Sequence, residues 1–156
     1  MPLQILGLNH NTAPVEIREQ VAFAGDEVSR ALERLGALDG VEEALLLSTC
    51  NRTEFYVISE DGGREHLKEW LHDDRQLGDS FAESLFTLDD EDAIRHIFRV
   101  ACGLDSMVLG EPQILGQLKD AFRYAQDANT LGSNLSRLFQ HTFAVAKKIR
   151  TDTEIG

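Results

Sequence analysis

The side chains best suited to chemistry lie in one run, Ser48-Thr49-Cys50-Asn51-Arg52. A cysteine attacks a carbonyl as its thiolate, and for this it needs exposure and a cationic or hydrogen-bond-donating neighbourhood. Thr49 and Asn51 put donors on either side of Cys50. Arg52 adds a permanent positive charge that can favour the thiolate or grip a carboxylate through two parallel N–H bonds. A plainer reading of Cys50 is a small buried side chain, the usual fate of an unpaired cysteine. Cys102, at a helix end in Val100-Ala101-Cys102-Gly103, fits that plainer reading.

Two further places hold polar groups where apolar ones are expected. On a helix near 90–102, Ile94, Ile97, Phe98 and Ala101 form the expected apolar stripe. At about 100° per residue, His96 falls on the side of Ala93 and Val100, among small or apolar neighbours. A histidine there can carry a proton, or simply sit at a packing boundary. From Gly103 to Gln117, polar residues are threaded singly through an apolar, glycine-punctuated stretch. Gln113 and Gln117 share a helix face, and a polar ligand is one way to satisfy such groups if they are buried. An ordinary loop-to-helix junction is the other reading. His10, in Leu8-Asn9-His10-Asn11-Thr12, could line the same sheet end as Cys50, whereas His66, His72 and His141 have no comparable context.

These groups must be positioned by the elements around them. Leu3–Leu8 reads as a strand, with a polar break to Pro14 and a short helix over 14–21. Asp26-Glu27 opens a helix with Val28, Ala31, Leu32 and Leu35 on one face and Gly36 as its stop. Ala44–Ser48 reads as a strand buried on both faces, and Thr53–Ser59 as a second strand rich in aromatic and β-branched residues. A helix over 64–72 and a fourth strand over Ser84–Leu88 follow. From Asp89 onward the pattern is helical: Asp89 can cap the first helix, Pro112 suits the first turn of a second (about 113–128), and Ser133 or Asn134 can cap a third. That last helix buries Leu135, Leu138, Phe139, Thr142, Ala146 and Ile149. The class is therefore α+β. The expected architecture is a small, mostly antiparallel sheet of about four strands in a ferredoxin-like βαβ arrangement with packed helices, followed by an all-helical part.

Composition narrows the function. The 156 residues have ordinary apolar and charged content for one globular domain, and the net charge of −12 argues against general nucleic-acid binding. The charge is uneven, because residues 113–150 hold Lys119, Arg123, Arg137, Lys147, Lys148 and Arg150 against only Asp120 and Asp127. Two cysteines make no disulfide framework, and no Cys/His spacing resembles a zinc site. There is no signal-peptide pattern and no run near the roughly 18 apolar residues of a membrane span, so a cytoplasmic protein is expected.

Three segments, Gly7-Leu8-Asn9-His10-Asn11-Thr12-Ala13-Pro14, Ser48–Glu54 and Gly103–Gln117, closely resemble glutamyl-tRNA reductase in order and spacing. The resemblance implies an NADPH-dependent oxidoreductase that converts the glutamyl group of glutamyl-tRNA to glutamate-1-semialdehyde, the first step toward 5-aminolevulinate and the tetrapyrroles, haem included. It implies that Cys50 forms a thioester with the glutamyl group and that His96 matches a histidine important for activity. Thr49, Cys50, Asn51, Arg52, Ser106, Glu111, Pro112, Gln113 and Gln117 fall on its substrate-contact positions. It also implies glutamate-1-semialdehyde aminomutase as a partner, regulation by haem or a protein, and a dimeric full-length form.

Residues 1–150 then correspond to an N-terminal catalytic domain, with a β/α half (1–88) and a helical half (89–150). Residues 151–156 would begin the linker to NADPH-binding and dimerisation domains. No Gly-x-Gly-x-x-Gly follows a strand in this sequence, so no NADPH binding by this chain is expected. The expectation is a monomer that acylates Cys50 and releases glutamate slowly to water. A cysteine hydrolase or acyltransferase using a Cys50–His96 dyad, and a non-catalytic regulatory module, are the competing readings.

Overall fold

A computed structural model describes residues 2–60, 62–105 and 113–153. Its elements are β1 (Leu3–Asn9), α1 (Val15–Val21), α2 (Gly25–Gly36), β2 (Val41–Ser48), β3 (Arg52–Ser59), α3 (Gly63–Arg75), a 3₁₀ helix (Asp79–Ser84), β4 (Phe86–Asp89), α4 (Asp90–Ala101), α5 (Gln113–Asp127) and α6 (Ser133–Thr153). The four strands form one antiparallel sheet in the order β2-β3-β1-β4. β1 connects to β2 through α1 and α2, and β3 connects to β4 through α3. This is the split βαβ topology expected from the sequence.

Alternation along β3 sorts the two faces of the sheet. Phe55 meets Phe23 and Trp70, from the α1–α2 connection and α3, at ring separations of 6.1 and 6.4 Å. Tyr56, pointing the other way, meets Phe139 of α6 at 5.5 Å. With helices on both faces, every residue of β3 is buried, as are Ala44–Leu47 of β2. The outer edge of β2 is closed by the α5–α6 connection. The Ala44 amide donates to the Thr130 carbonyl, and the Thr130 hydroxyl donates to the Ala44 carbonyl, both at 2.9 Å.

Several expected boundaries and caps differ. α6 is capped by the neighbouring edge strand: the buried Glu43 of β2 accepts the Leu135 amide (2.9 Å), the Asn134 amide (3.3 Å) and the Asn134 side-chain amide (2.9 Å). A carboxylate at a helix N-terminus satisfies orphan N–H groups and suits the dipole, so neither Ser133 nor Asn134 is needed as the acceptor. Gly36 is the last helical residue of α2, not the residue beyond it, and Ala37 is the cap. Ser84 closes the 3₁₀ helix, so β4 starts at Phe86. Asp89 precedes α4 but makes no capping bond, because its carboxylate takes Arg64 at 2.6 Å.

The buried face of α4 is also rotated from the expected stripe. Ala93, Ile97, Val100 and Ala101 face inward, while Ile94 is 38% exposed. α4 lies against both the sheet and the other two C-terminal helices, and the small side chains at 93 and 101 permit that close approach. The rotation carries His96 to the edge of the core. In α6, Leu135, Phe139, Thr142 and Ala146 are buried as expected, but Ile149 is 37% exposed.

Candidate active site

Cys50 is exposed at the tip of the β2–β3 turn. The Thr49 amide donates to the Arg52 carbonyl at 2.8 Å, and the Asn51 amide donates to the Thr49 hydroxyl at 3.2 Å. A hydroxyl closing the turn on its own backbone fixes the chain where Cys50 projects. Ser48 anchors the base of the turn by accepting the Phe23 amide at 2.9 Å. Arg18 of α1 reaches over and donates to the Cys50 carbonyl at 3.4 Å.

Arg52 does not point to solvent beside Cys50. It opens β3, its side chain is 1% exposed, and it lies on the sheet face covered by α4 and α6. Its Nη1 donates to Glu54 Oε2 at 2.7 Å and to Asp105 Oδ2 at 3.0 Å, and its Nη2 donates to the Asp105 carbonyl at 2.5 Å. Two positions along, Glu54 is fully buried and also receives the Tyr56 hydroxyl at 2.6 Å. His96 Nε2 lies 2.9 and 3.0 Å from the two Glu54 oxygens. Arg52, Glu54 and Tyr56 alternate along one strand face, so period 2 delivers all three to the same side.

The groups tune one another. Burial pushes the Glu54 carboxyl up, but the His96 hydrogen bond and charge, the Arg52 charge and the Tyr56 hydroxyl outweigh it, leaving the carboxyl below its usual range. Burial and the Glu54 charge push the Tyr56 phenol well up, so it stays a donor. Burial alone would favour a neutral Arg52, but Glu54 reverses that and holds the guanidinium charged. Glu54, His96 and Asp105 offer ligand atoms within 4.8 Å of one another, a spacing metals use. Here the Arg52 guanidinium bridges the Glu54 and Asp105 carboxylates, and His96 binds Glu54.

Of the residues picked from sequence, Thr49, Cys50, Asn51 and Arg52 share the turn and its first strand residue, and His96 joins Arg52 through Glu54. Gln113 and Gln117 are exposed on α5. Gln117 lines a groove of about 180 Å³ beside the β2 edge, with Phe23, Ser48 and Tyr124 among its walls. Ser106, Glu111 and Pro112 lie outside the described residues. Glu54, Tyr56 and Asp105 were not singled out. Glu54 and Tyr56 carry a sequence signal, polar side chains at i+2 and i+4 from Arg52 on a buried strand, whereas Asp105, 53 residues from Arg52, carries none.

The family model for the N-terminal domain of glutamyl-tRNAGlu reductase matches residues 6–153. The chain belongs to the glutamyl-tRNA reductase family. It is 56% identical over all 156 residues to glutamyl-tRNA reductases of Xanthomonas campestris pv. phaseoli and Stenotrophomonas maltophilia (strain K279a), and covers 35% of the length of each. The glutamyl-tRNA reductase of Methanopyrus kandleri superposes with a TM-score of 0.77 at 33% identity, over 96% of this chain and 34% of that one. The chain thus spans about a third of the length of these glutamyl-tRNA reductases.

Proposed function

We propose that Cys50 accepts the glutamyl group of glutamyl-tRNA. Sγ attacks the ester carbonyl, an S–C bond forms, the C–O bond to the terminal ribose breaks, and the thiol proton ends on the released ribose hydroxyl. One difficult displacement becomes two easier ones. The observation that carries this reading is the placement of Cys50: exposed, on a turn rigidified by its own hydroxyl and amide groups, in a chain of this family.

Thr49 and Asn51 flank Cys50 in the turn as candidate donors to the substrate, and Arg52 is the group to hold a substrate carboxylate. Because Arg52 is engaged by Asp105, whose side chain is 20% exposed, a substrate carboxylate must share or displace that contact. Gln113 and Gln117, with Ser106, Glu111 and Pro112, complete the proposed substrate contacts. His96 acts through Glu54 on Arg52.

Reduction of the thioester to glutamate-1-semialdehyde needs a hydride, which NADPH supplies in the full reaction. The described residues do not fit that cofactor. Their sheet is antiparallel, with none of the parallel strand–glycine turn–helix units that cradle a dinucleotide pyrophosphate. NADPH binding, dimerisation and contact with the aminomutase are assigned to the remainder of a full-length enzyme, working in the cytoplasm. No helix among the described residues is long and apolar enough to cross a membrane.

A Cys50–His96 hydrolase dyad fits less well, since His96 Nε2 is committed to Glu54. Release of labelled glutamate from glutamyl-tRNA by the chain, compared with Cys50→Ser, tests the proposal. Cys50-dependent release without any requirement for tRNA would favour the hydrolase, and equal release by both proteins would remove Cys50 from the chemistry.

A further inference from the structure

β1 ends with Asn9 opposite Arg52, so His10 takes the next step, at the level of the Cys50–Asn51 turn. The chain there is held firmly. Asn9 donates its amide to the Thr12 hydroxyl (3.0 Å), its carbonyl accepts the amides of Thr12 (3.0 Å) and Ala13 (2.9 Å), and its side chain accepts the Asn11 amide (2.9 Å). None of these bonds uses the His10 ring. His10 Nδ1 is shut off from solvent and has no partner, and neither has Nε of Arg18, the residue whose Nη1 holds the Cys50 carbonyl. A buried polar atom without a partner costs about 1–3 kcal/mol, so two of them flanking one turn call for a reason.

The other histidines do not offer a free ring at this end of the sheet. His96 is bound to Glu54, His66 lies against the Asp39 carbonyl, His72 lies beside Asp73, and His141 packs on Phe98. We infer that His10 is the proton acceptor for Cys50. Across one water, its imidazole takes the thiol proton as Sγ attacks the ester and returns it to the leaving ribose hydroxyl. No electrons are exchanged with any other group, and the ring ends as it began.

The charged groups around the ring suit this role. Burial, then Arg52 and Arg18, lower the His10 pKa, while Asp105 and Glu54 oppose them. The imidazole is therefore neutral near pH 7, ready to accept, and its protonated form gives the proton up readily.

This inference rests on Cys50 as the glutamyl acceptor, and the test separates the two. The rate of glutamyl transfer from glutamyl-tRNA to Cys50 is followed by intact mass across pH for wild type, His10→Ala and His10→Gln, each checked for an unchanged urea midpoint. A general base contributes on the order of 10²-fold, so both variants should lose about that much at pH 7. The deficit should shrink as pH passes the ordinary thiol value of about 8.5, and added imidazole should restore part of the His10→Ala rate. Equal rates, or a loss that is the same at every pH and insensitive to imidazole, would overturn the role of His10. If wild type forms no adduct, the reading of Cys50 fails instead. Cys50 alkylation by iodoacetamide then still decides for His10, since identical pH profiles in wild type and His10→Ala would exclude it.

Discussion

His96 Nε2 sits 2.9 Å from Oε1 and 3.0 Å from Oε2 of Glu54, joining α4 to β3 inside the protein. Glu54 is also the acceptor for Arg52 and Tyr56, so one carboxylate holds together three side chains drawn from both halves of the chain. Removing it leaves a buried guanidinium without its closest counter-charge. Glu54→Ala should therefore destabilise the fold by roughly 3–5 kcal/mol, measured by urea unfolding. A double-mutant cycle with His96→Ala should give a coupling on the order of 1–3 kcal/mol. A coupling near zero would show that the His96 contact has no energetic role.

The same carboxylate predicts an acid limit. Its folded pKa lies below the ordinary value of 4.5, so as pH falls through 4.5 the unfolded chain takes up the proton first. Stability from Glu54 is complete above that pH and declines below it, until the folded carboxyl is itself protonated. Urea midpoints from pH 6 down to 3 should fall steadily below 4.5 in wild type, and less steeply in Glu54→Gln.

Gly7 makes room for this arrangement. A Cβ at position 7 would lie 2.9 Å from Glu54 Cγ, 3.0 Å from Phe86 Cζ and 3.1 Å from the Thr53 carbonyl oxygen. Gly7→Ala must push Glu54 or Phe86 aside, and Phe86 itself lies 5.4 Å from the His96 ring. A loss of about 1–3 kcal/mol is expected from overpacking, with acylation of Cys50 reduced as Arg52 is displaced. A variant as stable and as active as wild type would show that the crossing is loose.

Glu43 predicts a separate, local effect. Its carboxylate takes two amides and one side-chain N–H at the start of α6. Glu43→Ala leaves the Leu135 amide buried without an acceptor, at a cost of about 1–3 kcal/mol. Hydrogen exchange should rise first at Asn134 and Leu135, before any change at Cys50. Protection left intact there would mean that α6 is fixed by its apolar face alone.

The sequence made the sheet, the order of its elements and the Cys50 turn legible, because each depends on neighbours within a few residues: alternation, apolar runs and turn chemistry. It hid the partners of Arg52. A strand beginning at Thr53 leaves Arg52 in the turn and separates it from the polar stripe through Glu54 and Tyr56. That stripe makes sense only with His96 and Asp105, which lie 42 and 53 residues from Glu54 and Arg52 respectively. The α6 cap was hidden for the same reason, since Glu43 is 92 residues from Leu135. The buried face of α4 departs from the expected stripe because Ile94 outranks Ala93 in hydrophobicity, whereas close packing against the sheet and the neighbouring helices favours the smaller side chain.

Covalent glutamylation of Cys50 is the step on which the proposed chemistry turns. Intact mass spectrometry of the chain after incubation with glutamyl-tRNA, followed by peptide mapping, tests it most directly. One glutamyl residue should be added to the peptide containing Cys50, absent in Cys50→Ser and absent when free glutamate replaces glutamyl-tRNA. An adduct on Cys102, or one that persists in Cys50→Ser, would contradict it.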